Sequence, residues 1–155
     1  MQNEDLTHIY NKYNNLVYRI ALTYTKNEMD AEDIMQDVFV KRLCYRKKFE
    51  SEEHEKNWMI RVTINKSKDH LKSFWKKNRC DIGDLQQQVT WNMDQEKKQL
   101  LEELFCLPDK CRITLYLHYF EGYTCKEIAH LIHCGESAVK MRLKKGRELL
   151  KQKLK

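Results

Sequence analysis

The chain has 155 residues and a formal net charge of +6, so it has room for one ordinary domain or two small ones and a surface that suits a polyanion without requiring one. Its single proline, Pro108, its few glycines and the lack of alternating Val/Thr runs argue against an all-β fold and for helices. No apolar stretch approaches the roughly 18 residues of a membrane span, and the polar, acidic segment 1–5 is unlike a signal peptide, so a cytoplasmic protein is expected.

Leu6, Ile9, Tyr13, Val17, Ile20 and Tyr24 recur at helical spacing and predict a first amphipathic helix. A turn at 26–29 follows, and Asp30 is placed to cap a second helix with Asp33 in its first turn, where acids favour the positive dipole end. That helix is expected to bury Ala31, Ile34, Val38 and Leu43, and to present Asp33, Asp37, Val40 and Lys41 elsewhere. An acidic loop is read over 49–55. A third helix then runs from about 57 to 74 with an apolar row, Ile60, Ile64, Ser67, Leu71 and Phe74. A second row holds Trp58, Arg61, Asn65, Lys68 and Lys72, an aromatic followed by polar and basic groups. Such a mixture suits unstacked bases, because rings stack on them while cations follow the phosphates. The competing reading is a core tryptophan beside a solvated face.

Periodicity dissolves after Trp75, and the basic start and polar Gln86, Gln87 and Gln88 predict a flexible linker. The expected organisation is all-α: a three-helix domain over 1–75, a linker over 76–93 and a second helical domain over 94–155. The second domain opens with a helix at about 94–105, and Pro108 falls at the first turn of the next. Ile113, Leu117 and Phe120 form that helix's core stripe, which Gly122 ends. Thr124 and Glu127 make a capping-box pattern before Ile128, Ala129, Leu131 and Ile132. A break at 133–135 precedes a last basic helix.

Short helix, tight break and longer basic helix form a helix-turn-helix pattern. Val139, Leu143, Gly146 and Leu150 would pack inward, leaving Ser137, Lys140, Lys144, Arg147 and Lys151 outside. Ser137, Lys140 and Met141 lie where this motif meets base edges in a major groove, while Lys144, Lys145 and Arg147 lie nearer the phosphates. An ordinary surface helix in a helical hairpin is the alternative. The cysteines show no C-x-x-C spacing and are expected as free thiols; His130, His133 and Cys134, with Cys125 or His118, are a weak zinc pattern without an obvious fourth ligand. No metal, cofactor or small-molecule substrate is expected. Without a glycine-rich phosphate loop, and with carboxylates dispersed over charged helices, the chain offers nothing that points to an enzyme.

Several motifs in series carry a family resemblance. Asp30-Ala31-Glu32-Asp33-Ile34-Met35-Gln36-Asp37-Val38-Phe39 resembles the D-A-E-D-x-x-Q-[ED]-x-F signature of extracytoplasmic-function sigma factors. Trp58-Met59-Ile60-Arg61-Val62-Thr63-Ile64-Asn65, with Asp69 and Leu71, is similar to that family's W-L-x-R-I-A-x-N-x-x-x-D-x-L helix. Leu107-Pro108, then 120–124 and 127–129, resemble the opening of its second DNA-binding domain, which 139–143 with Gly146-Arg147 complete.

The resemblance implies a sigma region 2-like domain joined to a region 4-like helix-turn-helix domain. It implies docking of Asp33, Gln36, Asp37, Phe39 and Val40, exposed or half-exposed, on the clamp helices of the largest subunit of core RNA polymerase. Trp58, Arg61, Asn65, Lys68 and Lys72 would bind and open the minus-ten promoter element, with the loop at 49–55 holding a flipped base. Ser137, Lys140 and Met141, backed by Lys144 and Arg147, would read the minus-thirty-five element. An anti-sigma factor is an implied partner, and no fused regulatory domain is expected. The family usually has Gly where His133 stands and Thr where Ala138 stands, and Met59 takes the place of a second aromatic in primary sigma factors. A stand-alone helix-turn-helix regulator would leave the acidic second helix and the Trp58 row unexplained.

Overall fold

A computed structural model describes residues 2–78 and 107–153, and every regular element among them is helical. The chain divides into two compact units, Met1–Gln87 and Gln88–Lys155. The expected linker at 76–93 falls almost wholly, and the helix at 94–105 entirely, outside the described residues.

The first unit packs α1 (Gln2–Thr25), α2 (Glu28–Cys44) and α3 (Glu52–Asn78) pairwise against one another. Its core joins Val17, Ile20 and Leu22 of α1, Ile34 and Val38 of α2, and Met59, Ile60 and Ile64 of α3. Thr63 and Ser67 enter this apolar core because their hydroxyls donate back along the helix to the Met59 and Thr63 carbonyls, both at 2.7 Å, so neither hydroxyl is left unpaired.

The turn between α1 and α2 is shorter than the spacing predicts. Lys26 takes a left-handed φ of 56° after α1, and Asn27, not Asp30, caps α2 by accepting from the Asp30 amide at 3.0 Å. Asp30 is thus a first-turn acid. α3 likewise begins earlier, at Glu52: Ser51 Oγ accepts from the His54 amide at 3.0 Å, so half of the expected acidic loop is the helix's first turn. The remaining connection, 45–51, is short.

The second unit contains α4 (Asp109–Leu115), running into a π turn at Tyr116–Phe120, then α5 (Cys125–Ile132) and α6 (Glu136–Lys153). Pro108 sits at the N-cap of α4, one position outside the first turn. Gly122, at φ 76°, makes the turn out of the π segment, and the His118 Nδ1–H donates to the Tyr123 carbonyl across it at 2.8 Å. Both bonds of the Thr124–Glu127 capping box form, at 3.2 and 3.0 Å. α5 ends at His133 in the left-handed region (φ 55°), and the Cys134 amide donates to the Ala129 carbonyl at 3.1 Å, the Schellman closure that turns the chain into α6. Ile113, Leu115, Leu117, Ile128, Leu131, Val139 and Leu143 form the core of this unit.

Candidate protein and nucleic-acid interfaces

α2 buries one face and turns the other outward. Asp33, Gln36 and Asp37 are exposed, with Glu32 beside them, and Val40 is 58% exposed. Phe39 corrects the sequence reading: it is only 6% exposed, tucked beneath Tyr10 with ring centroids 5.1 Å apart. Leu43 corrects it in the opposite sense, being 54% exposed where burial was expected. α1 covers Phe39 through Tyr10 but leaves Leu43 exposed, and between the two helices lies an apolar groove of 560 Å³ lined by Leu6, Tyr10, Met35, Phe39, Val40 and Leu43. Gln36 also lines this groove.

The charged row of α3 forms as spaced. Arg61, Asn65, Lys68 and Lys72 are exposed, while Trp58 at its head is half-buried. Phe74 and Trp75 have side chains outside those described. Trp58 is held by the α2–α3 connection: its ring lies 4.7 Å from Tyr45 and 5.7 Å from Phe49, and Phe49 stacks on Tyr45 at 4.9 Å. His54 meets the edge of Phe49 at 5.3 Å. The row therefore begins at an aromatic cluster that fixes the loop, not at a lone core ring.

Beside that cluster the loop encloses an open recess of 530 Å³, lined by Arg42, Lys47, Lys48, Phe49, Ser51, Glu52 and Glu55. Arg42 and Glu55 of this lining belong to a hydrogen-bonded triad completed by Tyr13. Arg42 Nη2 donates to Glu55 Oε2 at 2.8 Å, and the Tyr13 hydroxyl donates to Glu55 Oε1 at 2.9 Å. Burial alone would push the Glu55 carboxyl up, but the bonds from Arg42 and Tyr13 outweigh it and hold it below the usual glutamate range. Burial, reinforced by the bond to Glu55, pushes the Tyr13 phenol well above its ordinary value. Sequence spacing carries no sign of this triad, because its members come from three helices.

In the second unit Ser137, Lys140, Met141, Lys144, Arg147 and Lys151 all lie on the exposed face of α6, and Val139, Leu143 and Gly146 on the buried one; Leu150 is half-buried. Lys140 makes an exposed pair with Glu136 at 3.6 Å, weak enough to give way to another anion. Arg147 Nη1 donates to the hydroxyl of Tyr119 at 3.2 Å. The π turn at the end of α4 brings this tyrosine to the surface, and no sequence pattern pointed to it.

Among the described residues no group of three His, Cys, Asp or Glu side chains gathers as a metal site, and Cys134 Sγ instead accepts from Arg142 at 3.7 Å. No described helix is long and apolar enough to cross a membrane.

Comparison with known proteins places these faces in a context. Residues 9–77 match the family described as Sigma-70 region 2, and residues 97–150 the one described as Sigma-70, region 4. The chain is 30% identical over 151 residues to the ECF RNA polymerase sigma factor SigM of Bacillus subtilis (strain 168), covering 92% of this chain and 91% of that protein. It is 28% identical over 138 residues to the RNA polymerase sigma factor SigV of the same organism, covering 88% and 83%. Among solved structures, the sigma factor RpoE of Bartonella quintana, in complex with the anti-sigma factor NepR, shares the fold with a TM-score of 0.78 at 18% identity, covering 97% of each chain.

Proposed function

The chain belongs to the extracytoplasmic-function sigma factors of the sigma-70 family, and on that premise we propose which of its faces grips which partner. It is a transcription initiation factor that directs RNA polymerase to promoters; core polymerase and promoter DNA are its partners. In our reading the α1–α2 groove, with Asp33, Gln36, Asp37 and Val40 around it and Phe39 as its floor, takes the clamp helices of the largest subunit. An amphipathic helix fits such a groove by laying apolar side chains in it and basic ones on the acidic rim. Trp58, Arg61, Asn65, Lys68 and Lys72 bind the minus-ten element as it opens, and the neighbouring recess accepts an extruded base. Ser137, Lys140 and Met141 read the minus-thirty-five element, with Lys144 and Arg147 on phosphates. The three working segments are 1–75, 76–93 and 94–155. An anti-sigma factor that covers these faces is the expected inhibitor, by analogy with the RpoE–NepR complex. The polymerase supplies the catalysis.

The observation that carries this reading is the separation of charge within the first unit. Glu32, Asp33 and Asp37 are exposed on α2, the helix that walls one side of the apolar groove, whereas Arg61, Lys68 and Lys72 are exposed along α3. Acids repel DNA, so the α2 face is suited to a polypeptide and the α3 face to a nucleic acid. The test is capture of core polymerase by the purified chain. Charge reversal with Asp33→Lys and Asp37→Lys should abolish capture while the helical circular dichroism stays unchanged. Undiminished capture by the folded double variant would remove α2 as the docking face.

A further inference from the structure

We propose that Arg42 and Glu55 act as positioning residues for promoter opening, a locked pair that holds the 45–51 loop in the form that admits an extruded base. This rests on the reading above that the loop meets the non-template strand. Three observations converge on it. First, the pair is tight and sheltered: N–O is 2.8 Å and the two side chains are only 17% and 16% exposed. Second, Arg42 reaches past Glu55 to the loop itself, its guanidinium lying 5.0 Å from the Phe49 ring centroid, while Phe49 carries Tyr45, His54 and Trp58. Third, both residues line the recess as well as the anchor, so a change in their geometry is a change in the recess wall.

Among the described residues, Arg42 Nε has no hydrogen-bond partner, so the guanidinium is held through Nη2 and its face. The guanidinium is oriented by two demands at once, the carboxylate at one edge and the Phe49 face beneath it. Lysine can meet either demand but not both at once, because its ammonium is a point charge without a plane to stack while an edge pairs. From α1, Tyr13 holds the other carboxylate oxygen, so the loop is referenced to all three helices. A recess so referenced presents a fixed shape to an incoming base before the DNA opens, which lowers the ordering cost at the moment of capture.

The test uses holoenzyme reconstituted from the full chain and core polymerase, with a promoter carrying 2-aminopurine in the non-template strand of the minus-ten element. Arg42→Lys and Glu55→Gln should each slow the rise in fluorescence about ten-fold, the scale on which misplaced groups act, with capture of core polymerase unchanged and each variant fully folded at the assay temperature. The double variant should be no slower than either single one, because both break the same lock. Lys47→Ala with Lys48→Ala, exposed lining residues outside the lock, reports on the underlying reading. If that pair slows opening but Arg42→Lys and Glu55→Gln do not, the positioning role is wrong and the loop assignment stands. If none of these variants changes opening, the loop does not meet the strand and both fail. Slowing that is matched by an equal loss of capture and of folded chain at the assay temperature in Arg42→Lys and Glu55→Gln would reduce the pair to a fold-stabilising contact.

Discussion

Gly146 offers a stringent test of how the recognition helix is seated. It is buried where α6 packs on α4, and a Cβ added there would lie 2.5 Å from Leu115 Cδ1, 3.1 Å from Leu115 Cγ and 3.6 Å from Cys111 Cβ. Leu115 is itself 1% exposed, so it has little room to swing aside. Gly146→Ala sets two effects against each other. Alanine gains about 1 kcal/mol of helix propensity over glycine, and overpacking a filled core loses about 1–3 kcal/mol. Contact with two atoms of one confined side chain favours the upper part of that range, so a net loss of about 1–2 kcal/mol is expected. Native-state hydrogen exchange of α6 amides in the intact chain measures it locally, with each factor of ten in rate worth about 1.4 kcal/mol. In a Leu115→Ala background the obstruction is gone, and Gly146→Ala should become neutral or stabilising. Exchange that is unchanged or slower in the single variant, or an equal loss in both backgrounds, would refute the close approach of α6 to α4.

Other expectations follow from single contacts. His133→Gly should stabilise α5 and α6 by about 1 kcal/mol, since glycine occupies the left-handed region without a Cβ penalty, and exchange of the Cys134 amide should slow accordingly. Lys140→Ala should weaken use of the upstream promoter element by about 1–3 kcal/mol if the side chain meets a base, read as a sequence-dependent change in binding by holoenzyme; a uniform loss on all sequences would mean phosphate contact alone. Tyr119→Phe should leave the fold intact but free Arg147, lowering duplex affinity about two-fold, the scale of an exposed hydrogen bond. The Glu55 carboxyl is held below its unfolded value, about 4.3. Its contribution to stability is therefore complete above that pH and lost as the pH falls through the lower folded value. Melts of wild type and Glu55→Gln should accordingly converge on acidification below about pH 4.3, and curves that stay parallel would contradict the assignment.

Much of the architecture was legible because it is local. Periodicity of Val17, Ile20 and Ile34 reports a buried face wherever the partner helix lies, and the Thr124–Glu127 box and the break at His133 announce a helix start and stop without tertiary help. The exposed side of α6 was legible for the same reason. Phe39 and Leu43 were misread because their exposure depends on the crossing of α1 over α2, which no single helix encodes. Asn27 displaced the expected cap, Asp30, and Ser51 starts α3 ahead of the expected 57, as side chains able to cap compete at neighbouring positions. The Tyr13–Glu55–Arg42 triad and the Tyr119–Arg147 bond stayed hidden because they join residues distant in sequence through geometry alone.

The most direct test of the central claim is start-site mapping with purified core polymerase on a library of genomic fragments. Addition of the chain should create initiation at a limited set of positions, each preceded by two shared sequence elements at a near-constant separation. Initiation indistinguishable from that of core enzyme alone, with the added chain folded and active polymerase present, would contradict it.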